Sequence, residues 1–315
     1  MDIKQSFKNR DIIDINDFSK EELLFILETA KEFDPDYLKR SKRSNYIIAQ
    51  GEIAAHLFFE PSTRTEQSFR SAAQKIGMGV IGFNDMEVTS MHKGESFKDT
   101  IRIMESYSNV LIIRHPEAGS AKKAADIASI PVINGGDGPN QHPTQTLLDL
   151  YTIQKHTGSF DGLTVAFVGD LKYGRTVHAL SIALSHFKVK QIFIAVKSLQ
   201  MPDEYLEVLR KRKVEFKQYE SLLDNLEGVD FLYQTRVQKE RFADLKQYDK
   251  VKDKYILSKT LIPFLDKGLH LMHPLPRVNE IDPILDDHPN AIYFKQAKNG
   301  MYVREALLGL VLGRI

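Results

Sequence analysis

The chain has 315 residues, with 43 Lys and Arg against 42 Asp and Glu, and no cysteine. That length suits about two domains of ~150 residues and lets roughly three quarters of the unfolded surface be buried. A formal charge of +1 gives no global attraction for nucleic acid or an anionic membrane, so any anion site must be local; the lack of cysteine excludes disulfides, thiolate zinc sites, iron–sulfur clusters and a cysteine nucleophile.

The opening MDIKQSFKNRDIID is charged and is not expected to act as a secretion signal. Downstream, short β-branched or aromatic runs alternate with polar turns and periodic apolar segments, the pattern of strand–loop–helix units and a parallel sheet. IAAHLFF (53–59) leads through EPSTRT into a helix EQSFRSAAQKIG, and VLIIRH (110–115) leads into AGSAKKAADIAS. A glycine-rich loop in VINGGDGPNQHP then opens a helix, near which we expect the domain hinge, before a new strand at Thr164. LTVAFVGD (163–170) precedes VHALSIALSHF, and QIFIAV (191–196) precedes a helix around PDEYLEVLRKRK. The final NGMYVREALLGLVLGRI reads as an amphipathic helix with Val303, Ala306, Leu307, Leu310 and Val311 on one face. Its longest apolar run, ALLGLVL (306–312), and IAAHLFF fall far short of the ~18 residues that a membrane span needs. The fold class is therefore α/β, in a soluble, cytoplasmic protein, with chemistry expected at the carboxyl ends of strands.

Five groups of residues at such ends, one of them combining 114–116 with 140–145, could carry that chemistry. Ser62-Thr63-Arg64-Thr65 combines a helix start, three hydroxyls and a guanidinium, a composition suited to phosphate, although Thr63-x-x-Glu66 also spells a capping box. Gly169-Asp170-Leu171-Lys172-Tyr173-Gly174-Arg175-Thr176 nearly matches a phosphate-binding loop, but Arg175 stands where lysine is required, so a nucleotide site and a plain strand-to-helix turn both remain open. Arg114-His115-Pro116 ends a strand. His142, ahead of Pro143, is biased out of the following helix, where a loop histidine is ordinarily solvated, and Gln145 in the first helical turn is by default a surface residue. Thr235 to Arg241 reads as a charged solvated face, and His273-Pro274-Leu275-Pro276-Arg277 as a stiff corner.

Together, FFEPSTRT (58–65), TSMHKGES (89–96), RHP (114–116), GDGPNQHPTQTLLDL (136–150), VGDLKYGRTVHAL (168–180), TRVQKER (235–241) and HPLPRVNEI (273–281) resemble the aspartate/ornithine carbamoyltransferase family, and within it the aspartate carbamoyltransferase catalytic chains, over nearly the whole length. The resemblance implies two doubly wound domains, each a parallel sheet flanked by helices. A carbamoyl phosphate-binding domain would span 1–146, completed by a C-terminal helix, 298–315, packing back on it; an aspartate-binding domain would span 147–297. It implies transfer of the carbamoyl group from carbamoyl phosphate to L-aspartate, in pyrimidine synthesis, with no metal or organic cofactor. Ser62, Thr63, Arg64, Thr65 and Arg114 would hold the phosphate, and Thr65, Arg114 and His142 would surround the carbonyl oxygen. Gln145 would orient the carbamoyl amide, and Pro274 and Leu275 would contact the donor. Arg175, Arg236, Gln238 and Pro276 would meet aspartate, and the Leu275-Pro276 bond would be cis. Ser90 and Lys93 would reach a neighbouring subunit's site in a homotrimer, which could join regulatory or dihydroorotase chains; neither nucleic acid nor membrane is an expected partner.

One departure stands out: the family usually continues Ser-Thr-Arg-Thr-Arg, whereas this chain has Glu66, readable either as a cap or as a cause of weaker donor binding. The rival readings are the sister enzyme acting on ornithine, a nucleotide-binding protein built on GDLKYGRT, and a catalytically silent relative. Ornithine enzymes typically carry His-Cys-Leu-Pro, which this chain lacks.

Overall fold

The computed structural model describes residues 2–38, 47–86, 89–237, 248 and 251–315. They form two compact units, Met1–Tyr151 with Lys298–Ile315, and Thr152–Ala297.

In the first unit, strands β1 (Ile53–Phe58), β2 (Gly79–Phe83), β3 (Val110–His115) and β4 (Val132–Asp137) make a parallel sheet in the order β2-β1-β3-β4. The interior strands β1 and β3 and the whole of β4 are almost continuous buried runs, as expected of a parallel sheet covered on both faces. Helices α1 (Lys20–Lys31), α2 (Thr63–Lys75), α3 (Phe97–Ser106), α4 (Ser120–Ile127) and α5 (Pro143–Thr157) belong here, the last running on into the second unit. Ile101 of α3 and Ala124 of α4 cover the face of the sheet that carries Ala55, Leu57, Leu111 and Ile113. Local chemistry fixes where helices begin: Ser19 and Glu22 form a reciprocal capping box on α1, and Ser96 Oγ accepts from Asp99 N on α3.

The second unit repeats the plan with β5 (Thr164–Val168), β6 (Lys190–Ile194), β7 (Phe216–Tyr219), β8 (Phe231–Gln234) and β9 (His270–Met272), all parallel, in the order β7-β6-β5-β8-β9. Helices α6 (Arg175–Leu184), α7 (Asp203–Lys211) and α8 (Ile262–Asp266) follow strands; α9 (Tyr293–Val311) begins in this unit and ends in the first. Its core gathers Val168, Ile194, Leu232 and Leu271 from the strands with Leu261 and Leu265 from the α8 region. Each fully buried side chain of this size contributes about 1.5–3 kcal/mol.

In both sheets the first strand of the unit has its sequence successor on one side and a later strand on the other. That reversal of direction leaves a crevice at the carboxyl ends, between β1 and β3 in one unit and between β5 and β8 in the other.

The last helix differs from the expected amphipathic form. From Tyr302 to Val311 every residue is buried, Arg304 and Glu305 included, because this segment lies within the first unit instead of on its surface.

Burial of histidine sets a pH dependence of stability. His56 lies on β1 between Phe58 and Phe69, with neither ring nitrogen hydrogen-bonded, and burial, reinforced by the charge of Arg70, pushes its pKa down to about 3. Burial also pushes His178 down, although its ring bonds the Leu171 carbonyl. Between pH 6.5 and 3 the unfolded chain binds a proton that folded His56 refuses, so stability rises with pH across that window, by on the order of 1.4 kcal/mol per pH unit, and the contribution is complete above 6.5. Denaturant midpoints should fall steadily on acidification below pH 6.5, and His56→Leu should flatten that slope; an unchanged slope would place the acid lability elsewhere.

Candidate active site

Three loops converge where β1, β3 and β4 end. After β1, Ser62 caps α2 without a side-chain cap bond, and the first intrahelical bond runs from Glu66 N to Ser62 O at 3.0 Å. The N–H groups of Thr63, Arg64 and Thr65 precede that bond and so face outward, at the positive end of a 13-residue helix. Ser62 is half-buried, Thr63 and Arg64 are exposed, and Thr65 is buried.

At the end of β3, Arg114 donates from Nη1 to Gly135 O at 3.1 Å and pairs through Nη2 with Glu60 at 2.8 Å. Its neighbour His115 belongs to the packing, between Phe59 and Phe97. After β4, the loop to α5 folds around the buried carboxylate of Asp137, which accepts from Gly119 N, Asn134 Nδ2, Asn140 Nδ2 and Gln141 N, all at 2.9–3.0 Å. This network presents His142, whose carbonyl accepts from Gln145 N at 2.9 Å. His142 is 6% exposed, contrary to the solvated position expected of a loop histidine, and its Nε2 lies 3.4 Å from Thr65 Oγ1. Gln145 is half-buried, its Nε2 donating to Asp149 Oδ1 at 2.9 Å.

The electrostatics favour an anion here. Partial desolvation against the protein lowers the pKa of Arg64 although the residue remains exposed, and the like charge of Arg114 lowers it further. Burial also lowers Arg114, while Glu60 opposes the shift. The charge of Arg114 acts on Arg64 while Glu60 pairs with Arg114, so a dianion placed among the α2 N–H groups relieves repulsion that the protein itself leaves in place.

The Thr63–Glu66 capping box does not form. Thr63 is already the first helical residue, and the Glu66 carboxylate turns inward to Arg70 Nε at 2.9 Å and Asn84 Nδ2 at 3.4 Å. Its side chain is 4% exposed, so Glu66→Arg would set a buried cation beside Arg70 and should cost about 3 kcal/mol. Adding Arg70→Glu should recover most of that loss in urea unfolding; no recovery would show that the pair is not what holds Glu66.

On the second unit, Arg175 is the first residue of α6, directly after the β5 loop, and Arg236 follows β8. Their strands are neighbours, with Val168 opposite Gln234, so both arginines flank the crevice of the second sheet. Gly169 makes the join possible: it has φ +113°, and a Cβ there would stand 2.3 Å from Thr235 O. Thr235 Oγ1 in turn accepts from Asp170 N at 3.1 Å. The turn 169–174 is not shaped as a phosphate loop. Asp170 is fully buried within it and accepts from Tyr173 N at 3.0 Å, placing a carboxylate where a phosphate would need donors. Gln238 lies outside the described residues.

Beyond β9, Leu275 has φ +55° and a cis bond to Pro276. The corner is held by His273, whose Nδ1 accepts from Leu275 N at 2.8 Å and whose Nε2 therefore donates to Glu280 at 2.8 Å. Burial raises the Glu280 pKa, but the His273 bond and the backbone N–H groups outweigh it and keep the carboxyl below the usual range. Pro274, Leu275 and Pro276 thus form a fixed corner at the carboxyl edge next to β8. Ser90 and Lys93 are exposed on a single helical turn, Ser90–Lys93, that follows β2.

Sequence reasoning missed Glu60, which pairs with Arg114, and Asp137 and Glu280, which hold the loop before His142 and the corner at His273; none of the three matches a ligand-binding pattern. Asp137 had one local signal, an acid between two glycines and ahead of an asparagine, a composition that folds a turn around its own side chain. Among the described residues no group of three or more His, Cys, Asp or Glu could hold a metal ion, and no helix is long and apolar enough to cross a membrane.

Residues 10–155 match the family described as aspartate/ornithine carbamoyltransferase, carbamoyl-P binding domain, and residues 161–311 its Asp/Orn binding domain. The aspartate carbamoyltransferase catalytic subunit of Phocaeicola vulgatus is 47% identical over 307 residues, covering 97% of this chain and 96% of that protein. The solved catalytic subunit of M. jannaschii aspartate transcarbamoylase superposes with a TM-score of 0.89 at 46% identity, over 96% of this chain and 98% of the other. The aspartate transcarbamoylase of Trypanosoma cruzi, solved in complex with carbamoyl phosphate and aspartate, gives 0.86 at 35% identity, over 98% of each chain.

Proposed function

Because the chain belongs to the aspartate/ornithine carbamoyltransferase family, we propose that it transfers the carbamoyl group of carbamoyl phosphate to the amine of L-aspartate, giving N-carbamoyl-L-aspartate and phosphate for pyrimidine synthesis. The observation that carries this reading is the 3.4 Å Thr65–His142 contact at the start of α2, with Arg114 bonded to Gly135 O at the carboxyl end of β3.

Ser62, Thr63, Arg64 and Thr65 hold the dianionic phosphate at the helix start and stabilise it as leaving group. Thr65, Arg114 and His142 donate to the carbonyl oxygen, on which charge builds as the amine lone pair attacks the carbon. Gln145 orients the carbamoyl amide, with Pro274 and Leu275 against the donor. The C–O bond to phosphate then breaks, its electrons leave with phosphate, and the surplus amine proton is lost to that anion. Such a reaction needs no protein nucleophile; most of the acceleration comes from holding two oriented reactants. Arg175, Arg236, Gln238 and Pro276 receive aspartate, whose two carboxylates suit forked cations better than the basic ornithine side chain does. The reading is completed by a cytoplasmic homotrimer, open to regulatory or dihydroorotase chains, in which Ser90 and Lys93 serve the neighbouring subunit's site.

A phosphate-release assay tests it. Release should require both carbamoyl phosphate and aspartate. Release with ornithine but not aspartate would transfer the chain to the sister activity, and magnesium-dependent ATP hydrolysis would point to the nucleotide reading.

A further inference from the structure

Arg304 is the one residue of α9 between Tyr302 and Val311 that brings a positive charge into a wholly buried segment, and it is 3% exposed. A buried cation costs several kcal/mol unless donors and counter-charge are met. Its contacts reach the helices that carry the donor site. Nη1 donates to Ser68 Oγ on α2 at 2.9 Å, Nη2 donates to Thr144 Oγ1 on α5 at 3.2 Å, and the guanidinium lies 4.9 Å above the Phe69 ring. Ser68 is three residues beyond Thr65 on α2, and Thr144 falls between His142 and Gln145. Asp149, fully buried, attracts Arg304 and accepts the Gln145 amide at 2.9 Å. One turn before Arg304 the chain makes room: a Cβ on Gly300 would stand 2.4 Å from Arg304 Nη1 and 2.8 Å from Leu148 Cδ2.

We propose that Arg304 is a positioning residue for carbamoyl transfer: through Asp149 it fixes the Gln145 amide, and through Ser68 and Thr144 it sets the first turns of α2 and α5 so that Thr65, His142 and Gln145 meet one carbamoyl group. The proposal rests on the carbamoyl-transfer reading above. An apolar residue of similar volume would serve stability at least as well as a buried ion, so stability alone does not call for an arginine here. The planar fork is suited to spanning two helices at once, which the single ammonium of a lysine cannot do.

The test compares Arg304→Lys and Asp149→Asn, each in the native background and with Gln145→Ala, in the full chain well below its unfolding temperature. Carbamoyl phosphate and aspartate are varied separately. In the native background each change should lower kcat by about 10-fold or more and raise the carbamoyl phosphate KM, with the aspartate KM unchanged. With Gln145 already removed, Asp149→Asn should lower kcat by less than about 2-fold, and Arg304→Lys by less than in the native background, its remaining loss being the part carried through Ser68 and Thr144, because residues that act as a unit are not additive. An equal loss in both backgrounds would overturn the route through Gln145. A lowered unfolding temperature with native kcat would overturn the positioning role altogether. Should Arg304→Lys fail to fold, Asp149→Asn decides by the same criteria. A native chain without carbamoyl transfer would instead overturn the reading on which the proposal rests.

Discussion

His142→Ala should lower kcat by about 10²- to 10³-fold while leaving aspartate saturation nearly unchanged. The expectation follows from position. His142 Nε2 and Thr65 Oγ1 lie 3.4 Å apart, close enough for one oxygen atom to contact both, and Arg114 ends the strand beside them. In a buried site such donors are fixed before the charge develops, so removing one loses stabilisation of the transition state more than of the bound substrate. Initial rates with each substrate varied in turn give the answer. A native kcat with a raised carbamoyl phosphate KM would mean that His142 only binds the donor and stands away from the reacting carbonyl.

Some of this is legible in the sequence alone. The interior strands are, because burial on both faces leaves an unbroken apolar run with no second interpretation: VLIIRH, TVAFV and QIFI are strands in the structure as in the reading. The edge strands β2 and β7 are not, since GVIGF and FKQY are partly solvated and too short and too polar to stand out from loops. Glu66 shows the limit of local patterns. A threonine three residues before a glutamate is indistinguishable from a cap until Arg70 and Asn84 are seen to compete for the carboxylate. Likewise, the residues expected to touch ligand are named through the family resemblance, whereas Glu60 and Arg304 reach that region through tertiary contacts that no spacing encodes.

Glu60 supplies a compensating charge to the half-buried cation of Arg114, 2.8 Å away. The pair is partly open to water, so its net worth is small, which suits a contact that an incoming dianion must be able to displace.

Arg236→Ala should raise the aspartate KM by about 100-fold and leave the carbamoyl phosphate KM unchanged. Charged hydrogen bonds contribute about 1.5–3 kcal/mol each, and a guanidinium can make two to one carboxylate, so the loss of the fork costs at least about two decades in affinity. Arg236 flanks the crevice between β5 and β8, in a different unit from Arg64, Arg114 and His142, the charged groups and histidine assigned to the donor. Arg236→Lys should recover only part of the loss, since a single ammonium restores charge without the bidentate geometry. Steady-state kinetics at saturating carbamoyl phosphate measure the effect directly. If the donor KM rose in step with that for aspartate, Arg236 would be serving both substrates and the division of labour between the two sheets would be wrong.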